Sequence, residues 1–127
     1  MKHLVLIALL AGCAADETVS GFLDPQATYV LSSVSGTPFP ARATITFPGA
    51  GKVLGEAPCN RWSGAQTLDY PLVKIGPILS TKRSCEQQAN ETAFFTALEA
   101  MKRVEATGNV VILSDGAGAE MVFRAQK

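Results

Sequence analysis

The chain has 127 residues, 47% of them hydrophobic and 17% charged. That balance suits one packed domain and excludes a disordered chain. Eleven Lys/Arg offset eleven Asp/Glu, so the basic surface that marks a nucleic-acid binder is missing and no nucleic-acid partner is expected.

The first element is a leader. Met1–Gly12 has a positive start at Lys2, seven apolar residues from Leu4 to Leu10, then small residues ahead of Cys13. Seven apolar residues are too few to cross a bilayer but fit the core of a secretory signal. Leu10-Ala11-Gly12-Cys13 resembles the lipobox of bacterial lipoproteins. The resemblance implies cleavage before Cys13 and acylation of that residue with palmitate or similar chains. The competing reading is an ordinary signal peptide with an incidental cysteine. Several acyl chains would hold the protein stably on a membrane, where one chain would be marginal. Ala14 rather than Asp after Cys13 points to the outer membrane by the sorting rule of enteric-type bacteria, with the domain facing the periplasm.

Residues 13–25 then read as the lipidated N-terminus and a small, polar tether, with Phe22 and Leu23 able to dock on the domain. From residue 26 to 127 a single domain is expected. Thr28–Ser33, Ala43–Phe47 and Lys52–Glu56 are alternating or β-branched runs, and Pro48–Gly51 reads as the hairpin between the last two. Gly55 suggests a bulge or a close approach. Arg61–Leu68 and Leu72–Ile75 read as a further strand pair around Asp69-Tyr70-Pro71. Arg103–Thr107, Val110–Ser114 and Glu120–Ala125 complete the strands, with turns at Gly108-Asn109 and Asp115-Gly116, where positive φ is tolerated.

Between these sets, Ala89–Lys102 is rich in Ala, Leu and Glu. Phe94, Leu98 and Met101 recur at i, i+4 and i+7, and Phe95 and Ala97 widen that face. Asn90 is the expected N-cap, and Ser84…Gln87 offers an earlier capping box. The pattern predicts an α+β fold: a strongly twisted antiparallel sheet or partly open, cracked β-barrel packed on a single α-helix.

With Cys13 assigned to lipid, Cys59 and Cys85 remain, and an oxidising compartment favours a disulfide between them. Buried free thiols are the alternative. No metal is expected, because the only histidine, His3, lies in the leader. A cysteine nucleophile would lack its histidine base for the same reason. The carboxylates Glu56, Asp69, Glu86, Glu91, Glu99, Glu105, Asp115 and Glu120 are scattered. Glu56 and Arg61 read as an ion pair, and Asp69 and Asp115 as turn residues. No catalytic residue and no cofactor beyond the covalent lipid is assigned, and the chain reads as a non-enzyme.

Two surfaces remain as candidates. Asn60, Arg61 and Trp62 with Lys82 and Arg83 form a candidate contact site for envelope proteins; the plainer reading makes Asn60 a turn residue, Trp62 core and Lys82-Arg83 a solvated loop. Phe94, Phe95, Leu98 and Met101 opposite a curved sheet read first as a filled core, and alternatively as a candidate groove for a small hydrophobic ligand or apolar peptide.

Thr28–Gly36, the run Cys59-Asn60-Arg61-Trp62-Ser63-Gly64, the run Ser80-Thr81-Lys82-Arg83-Ser84-Cys85, the pair Phe94-Phe95 and the closing Val110–Phe123 hairpin occur in one order. Together they resemble the META domain family, which includes heat-shock-inducible bacterial lipoproteins. Pro58 stands where that family usually has glycine, and Tyr29 where it often has tryptophan. The resemblance implies a fold like that of secretin pilot lipoproteins, whose cracked barrel holds a hydrophobic groove, and a role in envelope integrity or stress tolerance.

Overall fold

The computed structural model describes residues 15–127; the leader and Cys13 lie outside the described residues. A 3-10 helix, Val19–Phe22, opens the fold, followed by β1 (Tyr29–Val34), β2 (Thr37–Pro38), β3 (Thr44–Gly49), β4 (Lys52–Glu56), β5 (Arg61–Ala65) and β6 (Leu79–Ser80). Then come α1 (Gln88–Ala100), β7 (Arg103–Thr107), β8 (Val110–Ser114) and β9 (Glu120–Ala125). The sheet is antiparallel with order β6-β5-β4-β3-β1-β9-β8-β7, and β2 pairs with the end of β1. This is the α+β architecture that the strand runs and the single helix predict.

The turns follow residue chemistry. Ala50 and Gly51, both at positive φ, close β3 onto β4 through the Gly49–Lys52 pair; two such residues match the right-handed twist of the strands. Gly108, at φ 62°, closes β7 onto β8. Between β8 and β9 the Asp115 carboxylate accepts the N–H groups of Ala117 (2.7 Å) and Ala119 (2.9 Å). These two bonds hold the carboxyl below its ordinary value.

Alternate residues of the strands face one interior, where Tyr29, Ile45, Phe47, Val53, Leu113 and Phe123 are fully buried. The helix turns Phe94, Leu98 and Met101 into the same core, with Phe95 and Ala97 half-buried beside them. Burying such side chains is worth about 1.5–3 kcal/mol each, which fixes the helix face.

Four expectations need correction. Leu72–Ile75 is not a strand paired with β5. Its Val73 N–H donates to Lys102 O, Val104 N–H donates to Pro71 O, and Gly76 N–H donates to Ala65 O. The segment therefore bridges β5 and β7, strands far apart in the order of the open sheet. Buried Gln66 organises it, accepting from Lys74 N–H and donating to Leu68 O, both at 2.8 Å. The strand that pairs with β5 is β6.

Neither expected helix cap forms. The N-cap is Gln87 without a side-chain cap bond, and Asn90 lies inside the helix, donating to the Gln87 side chain at 2.6 Å. The Cys85 backbone carbonyl instead receives the Gln88 N–H as the chain leaves the disulfide. Glu56 pairs with Arg42 at 3.4 Å rather than with Arg61, although Glu56 and Arg61 are opposite in register. The Thr44 hydroxyl takes the Glu56 N–H and draws that end of β4 toward β3 and Arg42. Finally, docking begins earlier than Phe22. Asp16 accepts from Thr18, Thr18 bridges to Asp69, and Val19 is fully buried. Residues 16–22 therefore belong to the folded body rather than to a free spacer.

Candidate functional site

Chemistry-bearing residues converge where β5 begins, beside the entry to the helix. Cys59 and Cys85 form a disulfide with their Cα atoms 5.6 Å apart. The pairing joins the turn before β5 to the turn before α1. Next to it, Asn60 uses its whole side chain. Its Nδ2 donates to Arg83 O (2.9 Å) and Glu91 Oε2 (2.7 Å), while Oδ1 accepts from the Thr81 hydroxyl (2.8 Å) and Arg83 N–H (2.6 Å).

Glu91 is the residue that the sequence conceals. Only 3% exposed, it reaches from the first turn of α1 under the disulfide corner. Its Oε1 accepts the backbone N–H groups of Cys59 (2.8 Å) and Asn60 (2.9 Å). A carboxylate held by three N–H donors satisfies backbone groups that the bend at Pro58–Asn60 takes out of the sheet ladder. Among the described residues no buried side-chain polar atom lacks a partner. In the sequence Glu91 is one of several scattered acids, because its partners lie about thirty positions away. Only the Asn at the bend and an acid in the helix's first turn hinted at the link.

Trp62 is 3% exposed and is not a contact anchor. Its indole crosses Gly55, its cross-strand partner, and donates to Thr44 O at 3.2 Å. A Cβ on Gly55 would lie 2.0 Å from that same oxygen, so the close approach expected there is real and excludes any side chain. Asn60 is equally committed to the interior. Both residues therefore leave the candidate contact surface, whereas Arg61, Lys82 and Arg83 are exposed.

The helix–sheet space is filled by the protein itself, the first of the two readings of this face. Phe94 packs against Phe39, Trp62 and Phe95 with ring centroids 5.7–6.2 Å apart, and Leu98 and Met101 are sealed beneath. These aromatic contacts fill the helix–sheet space, so Phe94, Leu98 and Met101 act as core and Phe95 packs half-buried at its edge.

The exposed side of the corner forms an open cleft of about 410 Å³ bounded by Arg42, Glu56, Pro58, Asn60, Arg61 and Arg83. Arg42 is engaged by Glu56 and by the Gln126 amide oxygen at 2.6 Å. Arg61 and Arg83 have no ion-pair partner among the described residues. Their main chains are nonetheless fixed, Arg61 to Thr81 and Arg83 to Asn60. Two unpaired guanidinium groups on an immobile base suit a carboxylate or another anionic group.

Residues 23–127 match the META domain family over most of the chain. The chain belongs to the META domain family. Solved structures of similar fold agree. A protein from Burkholderia xenovorans determined by NMR is 22% identical, covers 100% of this chain and 99% of its own, and superposes with a TM-score of 0.67. A second NMR structure is 23% identical over 83% of this chain and 92% of its own, with a TM-score of 0.64. A DUF4847 family protein from Bacteroides vulgatus is 24% identical over 67% of this chain and 60% of its own, with a TM-score of 0.54. At these identities the likeness is one of fold, and none of the descriptions states an activity. No curated protein matches the chain.

Proposed function

We propose that this META domain protein is a non-enzymatic lipoprotein, anchored to the outer membrane through Cys13. In this reading it supports envelope integrity or stress tolerance by contacting other envelope proteins. The observation that carries the contact role is the corner itself: Arg61 and Arg83, exposed and unpaired, project from backbone that Asn60, Glu91 and the disulfide immobilise. Immobile backbone lowers the entropy lost on binding, so such a platform favours an acidic partner surface. Lys82 extends the same basic stretch.

The compartment and anchor are supported by chemistry. A disulfide persists outside the reducing cytosol, and the leader ends in Leu10-Ala11-Gly12-Cys13. The non-enzymatic reading is supported by how the reactive groups are engaged. The two cysteines of the domain are bonded to each other, and the buried Glu91 is committed to backbone donors. The chain's only histidine, His3, precedes Cys13.

Metabolic labelling with an alkyne palmitate tests the anchor. The protein should carry label, fractionate with outer membranes, and lose both properties on Cys13→Ala. Unlabelled protein, or label that survives Cys13→Ala, would contradict the assignment.

A further inference from the structure

Three of the large apolar side chains exposed among the described residues gather at one end of the domain. Phe22 is 53% exposed, Leu68 40% and Leu72 44%. The Phe22 ring stacks on Tyr70 with centroids 4.2 Å apart, and Leu68 and Leu72 lie two positions to either side of Tyr70. A tight turn between them is closed by the Leu72 N–H on Asp69 O.

The same end receives the N-terminus. Tyr70 N–H donates to Glu17 O at 2.7 Å, Thr18 bridges to Asp69, and the Asp16 carbonyl packs so closely on Gly21 that a Cβ there would lie 1.9 Å away. Asp16 is thus fixed to the body, and only three residue steps separate it from Cys13. Fully extended, three residues span at most about 11 Å. A lipid on Cys13 therefore leaves no room for the domain to stand off the surface. The end that carries Phe22, Leu68 and Leu72 has to lie against the headgroups.

We infer that this apolar end is a membrane-docking face that enters the interface of the bilayer holding the anchor. The inference rests on the lipidation of Cys13 proposed above. Lys74, Lys102 and Arg103 border the patch through the 72–74 segment and its bonds to β7, and Asp16, Glu17 and Asp69 border it from the N-terminal side. Glu105 and Glu120 line the cleft beside Tyr70, Pro71 and Arg103, so the rim has no excess of positive charge and docking depends on apolar insertion rather than on attraction to anionic headgroups. Phe22 and Tyr70 supply aromatic rings suited to the interfacial layer. Arg61 opens β5 whereas Leu68 follows its far end, so docking this way turns the arginine corner away from the docked surface.

The test uses the full lipidated protein in vesicles of phosphatidylethanolamine and phosphatidylglycerol doped with lipids brominated near the headgroup. Phe22→Trp introduces an indole into the face, and Leu79→Trp places one on β6 as the control; the native Trp62 is buried in both. The indole at position 22 should lose emission to the brominated lipid, and the one at 79 should keep it. Equal emission from both, in protein that sediments with vesicles, overturns the docking face and leaves the anchor standing. Protein that carries no lipid and stays in the supernatant overturns the anchor and this inference together. Unquenched emission at position 22 with a doubled mass in detergent would assign the patch to a second copy instead.

Discussion

Replacing Glu91 by leucine removes the acceptor for three N–H groups at once: those of Cys59 and Asn60 and the Asn60 side-chain amide. Leaving a buried donor unpaired costs about 1–3 kcal/mol. The Cys59 N–H lies in a half-buried position where water can partly replace the carboxylate. The sum expected for Glu91→Leu is therefore about 3–5 kcal/mol, a large share of the stability of a domain this size. Glu91→Gln separates charge from geometry. Its amide oxygen can still take the two backbone N–H groups, but its NH2 would face Asn60 Nδ2, donor against donor. Asn60 cannot turn over to relieve this, because its oxygen already receives the Arg83 N–H. The expected loss for Glu91→Gln is about 1–2 kcal/mol. Urea denaturation followed by Trp62 emission reports the corner directly, since the indole packs edge-on against Phe94 and Phe95. With a slope of about 1.5 kcal/mol per molar urea, the leucine variant should shift the midpoint by roughly 2–3 M and the glutamine variant by about 1 M. A leucine variant within about 0.5 kcal/mol of the parent would refute the view that Glu91 holds the Cys59–Asn60 bend.

Three further outcomes follow from the same geometry. Reducing Cys59–Cys85, or replacing both residues by serine, opens a loop of 26-residue separation and should cost about 3.5 kcal/mol by chain entropy, read as the drop in urea midpoint. Gly55→Ala puts a methyl against the Thr44 carbonyl. The strands must part, at a cost of about 3 kcal/mol or more, and Trp62 emission should move to the red as its bond to Thr44 O is lost. Asp115 titrates below its ordinary value because the Ala117 and Ala119 N–H groups, in that order, favour its charged form. Its contribution is thus complete above the unfolded value of 3.8 and is lost as pH falls through the lower folded value. The Ala117 and Ala119 amide resonances should report that transition by NMR, and Asp115→Asn, which keeps an acceptor without the titration, should abolish it.

Much of this fold is legible before any coordinates. β1, β3, β4, β7, β8 and β9 fall on β-branched or alternating runs, and Ala50-Gly51, Gly108 and Asp115-Gly116 mark turns through backbone freedom that is local to each residue. The helix face at Phe94, Leu98 and Met101 is equally local. What stays hidden depends on partners distant in the chain. Leu72–Ile75 looks like a strand by composition, yet the Gln66 side chain and the Lys102 carbonyl take its hydrogen bonds. A core Trp62 is readable from the sequence, but that Gly55 opens its path to Thr44 O is not. Asn60 reads as a turn-orienting residue and is one, but the sequence does not show that Thr81, Arg83 and Glu91 claim all its polar atoms. At this corner the sequence marks the right neighbourhood but leaves open which of its residues face solvent, because burial there is decided by packing of β5, β6 and α1 together.

The most direct test of the proposed contact role is a photocrosslinking residue at Lys82 of the lipidated protein in intact cells. Lys82 is exposed and stands next to Arg83 on backbone fixed by Asn60. Irradiation should yield discrete adducts with envelope proteins that disappear when Arg61 and Arg83 are both changed to glutamate and when Cys13 is changed to alanine. Absence of adducts at position 82, or adducts unaffected by reversing those two charges, would contradict the claim that this corner is where the protein meets its partners.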